Sequence, residues 1–172
     1  MAVDYFLKLD GIEGDSTDAK HKGELKLESF SWGLAQTVAQ TRGAGGAAGK
    51  PQFQDLSFVQ RTGKASTKLF LACATGQHVK SAVLTVRRAG AKGVKTELLL
   101  IKLGDVLVSS FQESAAAGEE VLETVTLVYS RLELVSRPQS PGELKAGFDL
   151  TTNKTIEEAR DPQERIPTAQ DP

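Results

Sequence analysis

Three stretches of the chain bring together residue types that could do chemistry. The first is the glycine-rich run Gly43-Ala44-Gly45-Gly46-Ala47-Ala48-Gly49-Lys50, which fits a loose Gly-x-Gly-x-x-Ala pattern and ends like a phosphate-binding loop. Either motif needs a helix directly behind the glycines, so that its N-terminal N–H groups face the phosphate. Lys50-Pro51-Gln52 leads instead into a strand-like run, and position 51 is neither Ser nor Thr, so no nucleotide site is expected. The second stretch sets Asp10, Glu13, Asp15 and Asp18 among Gly11, Gly14 and Ser16. These are hard oxygen donors, but the spacing lacks the bidentate Glu at the twelfth position that a calcium loop requires, and a solvated loop is expected. The third pairs Cys73 with His78, as a nucleophile and base or as half of a zinc site. His21 is the only other imidazole and there is no second cysteine, so a soft ligand set cannot be filled and Cys73 reads as buried filler. Serines and aspartates are plentiful, but no Gly-x-Ser-x-Gly elbow occurs. The expectation is a protein that is not an enzyme and carries no metal or cofactor.

Composition narrows the remaining classes. The chain has 172 residues, 40% of them hydrophobic and 25% charged, which suits one domain with a substantial core. A formal net charge of −1 argues against a broad basic footprint, so neither nucleic acid nor an anionic membrane is an expected partner. One cysteine excludes an internal disulfide and fits folding in a reducing compartment. No apolar run approaches the length of about 20 residues that a spanning helix needs, and the start lacks a basic then apolar leader. Synthesis in the cytoplasm is expected, with any export occurring without a cleaved signal peptide and without stable membrane insertion.

The elements that would position these residues are strands. From Val79 to Val135 apolar side chains recur at every second position, as in Ala82, Leu84 and Val86, and Val125 and Leu127 sit opposite Thr124 and Thr126 in phase. Breaks are read at 89–93, at Leu103-Gly104-Asp105 and at 114–118, too short for crossover helices, so neighbours should pair antiparallel. Further strands are read over Val3–Leu9, Lys20–Trp32, Phe53–Arg61 and Glu143–Thr151, with Phe30 and Trp32 closing the core. One short helix is read, with Ser66 as N-cap, Gly76 as its left-handed end, and Leu69, Phe70 and Cys73 laid on the barrel. The run from 41 to 52 carries no folding code and is read as an extended loop that reaches outward. Residues 1–153 form the domain, and 154–172 read as a charged, proline-containing tail without fixed structure. The fold class is therefore mainly β, a small antiparallel β-barrel with one short flanking α-helix. Leu98-Leu99-Leu100-Ile101 is apolar on both faces, so one face is expected to meet another layer or another copy.

Several of these pieces resemble one family. Asp4-Tyr5-Phe6-Leu7-Lys8-Leu9-Asp10-Gly11-Ile12-Glu13-Gly14, Lys20-His21-Lys22-Gly23-Glu24 and Ser29-Phe30-Ser31-Trp32-Gly33 are similar to the opening of the Hcp proteins of bacterial type VI secretion. The resemblance continues through Phe53-Gln54-Asp55-Leu56-Ser57-Phe58, Leu69-Phe70-Leu71-Ala72-Cys73-Ala74-Thr75-Gly76 and Lys145-Ala146-Gly147-Phe148-Asp149. It covers residues 3–153 and departs at Phe148, where the family often has tryptophan. The resemblance implies a subunit of a six-membered ring, stacked into a hollow tube that is expelled from the cell. The partners it implies are further copies of the chain, a VgrG-like spike, a contractile sheath and baseplate, and effector proteins in the lumen. Under that reading Arg42, Gly43, Gly45, Gly46, Gly49 and Lys50 are candidates for ring-to-ring contact. The alternatives are a tail tube subunit of a phage-like contractile particle and a monomeric barrel that binds a small ligand.

Overall fold

The computed structural model describes residues 2–39, 47–90, 93–137 and 142–156. Its strands are β1 (Val3–Leu9), β2 (Leu25–Ser31), β3 (Leu34–Ala39), β4 (Ala47–Phe53), β5 (Leu56–Arg61), β6 (His78–Ala89), β7 (Lys95–Ser114), β8 (Leu122–Ser136), β9 (Leu144–Asp149) and β10 (Lys154–Ile156), with α1 (Ser66–Thr75) between β5 and β6. The main sheet runs β10-β9-β8-β5-β2-β1-β6-β7, and β7 returns to pair with β8. Six strands therefore close into an antiparallel barrel, while β9 and β10 extend it as a wing from the second half of β8. Closure leaves the six barrel strands with no free edge. Alternation selects the filling: Leu7, Leu25, Phe58, Leu84, Ile101 and Leu127 all point inward and are essentially inaccessible.

Two expected breaks are different in kind. Residues 89–93 do separate β6 from β7, but Leu103-Gly104-Asp105 lies inside one continuous strand of 20 residues. Asp105 is skipped in the pairing on both sides: Gly104 faces Ser81 and Arg131, and Val106 faces Val79 and Tyr129. It takes φ 51 while the register stays the same before and after it, so the segment is a local kink in β7 that neither ends the strand nor adds a residue to it. The strand expected from Lys20 starts at Leu25, because Gly23 at φ +74 turns the chain before pairing begins.

The helix sits where expected but with different details. Ala65 precedes it in helical conformation, and Ser66 lies inside the first turn. Ser66 Oγ accepts from the Gly63 N–H at 2.8 Å, so the hydroxyl closes the entering turn and does not cap the helix. Gly76 ends α1 with φ 65, the left-handed residue the reading required. Leu69 and Ala72 are the residues seated on the barrel, and burying Leu69 contributes about 1.5–3 kcal/mol. Cys73 is half-buried against the core. Phe70, expected on the barrel, is 56% exposed, because position 70 follows the seated residue by about 100° around the helix.

Of the stretch 41–52, residues 47–52 are more ordered than their composition suggests, and 41–46 lie outside the described residues. Residues 47–53 form β4 and pair antiparallel with β3 as a separate two-stranded sheet. The tail likewise begins with structure: Lys154–Ile156 pairs with Asp149, Phe148 and Gly147 of β9, and the expectation for 157–172 lies outside the described residues.

Candidate functional site

The β3–β4 hairpin is the element that stands apart from the barrel. It continues β2 and β5 past their ends, and its base is held by short-range contacts. The Gln54 N–H donates to the Gly33 carbonyl at 2.8 Å, and Tyr129 Oη donates to the Gln54 carbonyl at 2.7 Å. Burial pushes the Tyr129 hydroxyl up to about 12, so it remains a donor throughout the neutral range. Phe53 stacks on Phe148 of β9 at 5.3 Å, which ties the hairpin base to the wing. Further out, the register slips between Gln36 and Val38, and Gln36 Nε2 donates to the Gly49 carbonyl at 2.8 Å. A Cβ on Gly49 would stand 2.6 Å from the Thr37 carbonyl oxygen, so a glycine is required for the strands to meet there. Pro51 is tolerated because, among the described residues, β4 pairs with β3 alone. Leu34 is 55% exposed on the hairpin.

Of the residues proposed from sequence for ring contact, Gly49 and Lys50 lie in β4, exposed. Arg42, Gly43, Gly45 and Gly46 lie outside the described residues. No helix follows Gly49-Lys50, and Lys50 and Pro51 are strand residues, so the phosphate-loop geometry is absent from this segment.

A second surface lies beside α1. Phe70 approaches Phe111 of β7 edge-on at 6.2 Å, and with Cys73, Ala74 and Glu113 they line a depression of about 490 Å³. Leu71 on the helix and Val121 and Leu122 at the start of β8 are also exposed. Sequence reasoning missed this patch because it assigned Phe70 to the interior.

The acidic loop proves to be an ionic clamp. Arg87, only 2% exposed, donates from Nη1 and Nη2 to the two carboxylate oxygens of Asp18, both at 2.8 Å, and from Nη2 to Asp4 at 3.1 Å. Lys95 Nζ reaches Asp18 at 3.0 Å. The Arg87 hydrogen bonds hold the Asp18 carboxyl far below the usual carboxylate range, helped by Lys95. Behind this clamp the Arg87 guanidinium lies 4.6 Å from the Phe6 ring centroid, and His21 is buried and stacks on Phe6 at 4.5 Å. His21 Nδ1 shares a hydrogen bond with Glu24 at 2.9 Å, and Nε2 lies 3.7 Å from Glu97. Loop 10–24 is thus bolted over the barrel, bordering a polar cleft of about 750 Å³.

Possible catalytic groupings resolve differently. His78 Nδ1 lies 2.7 Å from Asp105, whose other oxygen accepts from Ser130 Oγ at 3.0 Å. The carboxylate stands between the other two, so the imidazole does not face the Ser130 hydroxyl as a serine triad requires, and the trio braces the kink in β7. Among the described residues no three His, Cys, Asp or Glu side chains are grouped to hold a metal ion, and no helix is long and apolar enough to cross a membrane.

Comparison with known proteins places this architecture. The family model described as "Type VI secretion system effector, Hcp" matches residues 6–135. Protein hcp1 of Pseudomonas aeruginosa is 38% identical over 160 residues, covering 89% of this chain and 98% of that protein. The crystal structure of Hcp1 from Salmonella typhimurium superposes with a TM-score of 0.77 at 34% identity, covering 91% of this chain and all of that one. A solved type six secretion system protein superposes with a TM-score of 0.84 at 29% identity, covering 90% and 100%. Barrel, helix and sequence agree over nearly the whole of these relatives: the chain belongs to the Hcp family.

Proposed function

We propose that the chain is a non-catalytic structural subunit of the type VI secretion tube, six copies closing into a ring and rings stacking into a hollow conduit. Family membership across residues 6–135 carries this reading. The geometry supports it in two places. Among the described residues the barrel interior is filled by its own side chains, Leu7, Leu25, Phe58, Leu84, Ile101 and Leu127 among them, which disfavours a monomeric ligand carrier. The exposed Phe70 and Leu71 beside half-buried Phe111, and the projecting β3–β4 hairpin, provide surfaces for contact between copies.

In this reading the hairpin is the ring-to-ring arm, with Gly49 and Lys50 on β4 and Arg42, Gly43, Gly45 and Gly46 in the sequence that joins β3 to β4. The tube carries effectors in its lumen, is tipped by a VgrG-like spike, and is propelled out of the cell by the contractile sheath on its baseplate. Deleting Ala44 to Ala48 removes part of that joining sequence and the first two residues of β4. Native mass measurement should still find rings, while electron micrographs lose the tubes. Tubes of normal length in the deletion variant would remove the hairpin from stacking, and an 18.4 kDa species at every concentration would remove the ring itself. A phage-like tail tube shares this physics and separates only by the machinery with which the subunit is co-purified.

A further inference from the structure

We propose that loop 10–24 is a strap that couples the start of α1 to the Arg87 clamp, so that releasing the clamp frees the helix although the two are not bonded to each other. The strap has two anchors only three residues apart. At Asp15 it holds the turn that enters the helix: Asp15 Oδ2 accepts from the Lys64 N–H at 2.8 Å, Lys64 Nζ pairs with Glu13 at 2.8 Å, and a Cβ on Gly63 would strike Asp15 Oδ2. At Asp18 it holds the barrel, through Arg87 of β6 and Lys95 of β7. Among the described residues the hydrogen bonds of the Arg87 side chain go to Asp18 and Asp4, and none reaches 62–76.

The link between the anchors is too short and too well bonded to take up slack. Three residues span at most about 10 Å. The Gly14 N–H donates to the Gly23 carbonyl at 2.8 Å, the Ser16 N–H to the Glu24 carbonyl at 3.0 Å and the Gly23 N–H to the Ser16 carbonyl at 2.8 Å, so 14–16 is tied to 23–24. The carboxylate that grips Arg87 also shapes the turn, since Asp18 Oδ1 accepts from the Lys20 N–H at 3.0 Å. Losing the grip therefore disturbs the turn, and Asp15 moves with it. The receiving end is equally tight. Ser66 Oγ accepts from the Gly63 N–H at 2.8 Å and the Ser66 N–H donates to the Gly63 carbonyl at 3.1 Å, which passes a shift of Gly63-Lys64 into the first helical bond, Leu69 N–H to Ala65 carbonyl at 2.9 Å. Leu69 and Ala72 seat the body of α1 on the barrel, and the strap fixes where it begins. The consequence for assembly rests on reading the exposed Phe70 and Leu71 as a contact between copies: the strap then sets the position of that face.

Hydrogen exchange read by mass spectrometry tests this in the full-length protein, at a concentration where native mass finds the same species for parent and variants. Arg87→Met changes no atom of the loop or the helix. It should speed exchange over 66–70 by about tenfold, while 101–108 in the barrel wall stays undeuterated over the same interval. Asp15→Ala should give a similar rise, and the double variant should add little to either, because one strap is cut twice. Asp18→Asn weakens the same anchor without emptying position 87; its smaller rise over 66–70 keeps the test decisive where Arg87→Met folds poorly. Unchanged helix exchange in both Arg87→Met and Asp18→Asn would overturn the proposal. So would deuterium entering 66–70 and 101–108 together, or effects of Arg87→Met and Asp15→Ala that multiply. Faster helix exchange with rings that survive the parent's dilution would uphold the strap and remove the Phe70 and Leu71 face from the contact between copies.

Discussion

Replacing Arg87 by Met keeps an unbranched apolar stem and removes the guanidinium that ties loop 10–24 to the barrel. Four interactions are lost: two bonds to Asp18 at 2.8 Å, one to Asp4 at 3.1 Å and the cation over the Phe6 ring at 4.6 Å. Breaking a fully buried pair costs about 3–5 kcal/mol, because one charge is left desolvated, whereas an exposed pair is worth at most about 1 kcal/mol. Asp18 lies between those limits, since its side chain is 14% exposed and Lys95 Nζ stays 3.0 Å away. The ring contact largely cancels, as a Met sulfur over Phe6 returns about 0.3–1.5 kcal/mol of the cation's contribution. The expected loss is therefore about 2–3 kcal/mol. Urea unfolding at neutral pH and one fixed protein concentration should show a lower midpoint with an unchanged slope. Adding Asp18→Asn should recover about 1 kcal/mol by removing the stranded carboxylate. An Arg87→Met protein within about 0.5 kcal/mol of the parent would refute the clamp, as would a double variant weaker than the sum of its parts.

The helix separates seated from facing residues: Leu69→Ala should cost about 2–5 kcal/mol in the same assay, while Phe70→Ala should stay within about 0.5 kcal/mol and weaken ring association in native mass measurements. Gly49→Val drives a side chain onto the Thr37 carbonyl, so tubes should disappear from micrographs while the barrel melts at its usual temperature; intact tubes would contradict the hairpin geometry. Asp149 is held at about 2, chiefly by the Thr151 hydroxyl and then by the Thr152 N–H. Its folded value lies below the unfolded value of about 3.9, so its contribution is complete above about pH 4 and is lost as pH falls towards 2. Acid unfolding of Asp149→Asn should lack that component, and a superimposable acid transition would deny it.

The barrel was legible because inward leucines and valines repeat every second residue with little interruption. The helix was legible from its ending, since Gly76 has one conformational use there. What escaped were features that period two cannot encode. Leu103-Gly104-Asp105 has turn residues, yet Leu103 and Val106 are both buried and the pairing keeps one register across them; that odd interval marks a kink in a continuing strand, where a turn would restart the pattern. β3 and β4 escaped because alanine, glycine and glutamine carry almost no alternation, and their pairing depends on Gly49 clearing Thr37. The clamp escaped because Asp18 and Arg87 are 69 positions apart, and only barrel closure brings β1, β6 and the loop together.

These misses share a cause that bears on function. Three lie where the chain departs from the closed barrel, the hairpin beyond β2 and β5, the loop over the barrel and the short β10 on the wing, and the fourth is the kink at Asp105 within β7. The barrel interior is encoded by many redundant apolar positions, so no single one has to be read correctly. The departures each hang on one or two residues with a particular geometric task, such as Gly49 under Thr37, Gly147 under Ile156, Asp105 at positive φ and Arg87 between two aspartates. A subunit of a repeating assembly needs a body that tolerates substitution and contact surfaces that do not. Substitutions at those four positions should therefore alter assembly or loop placement more sharply than equal-sized changes among the core leucines alter the barrel's secondary structure.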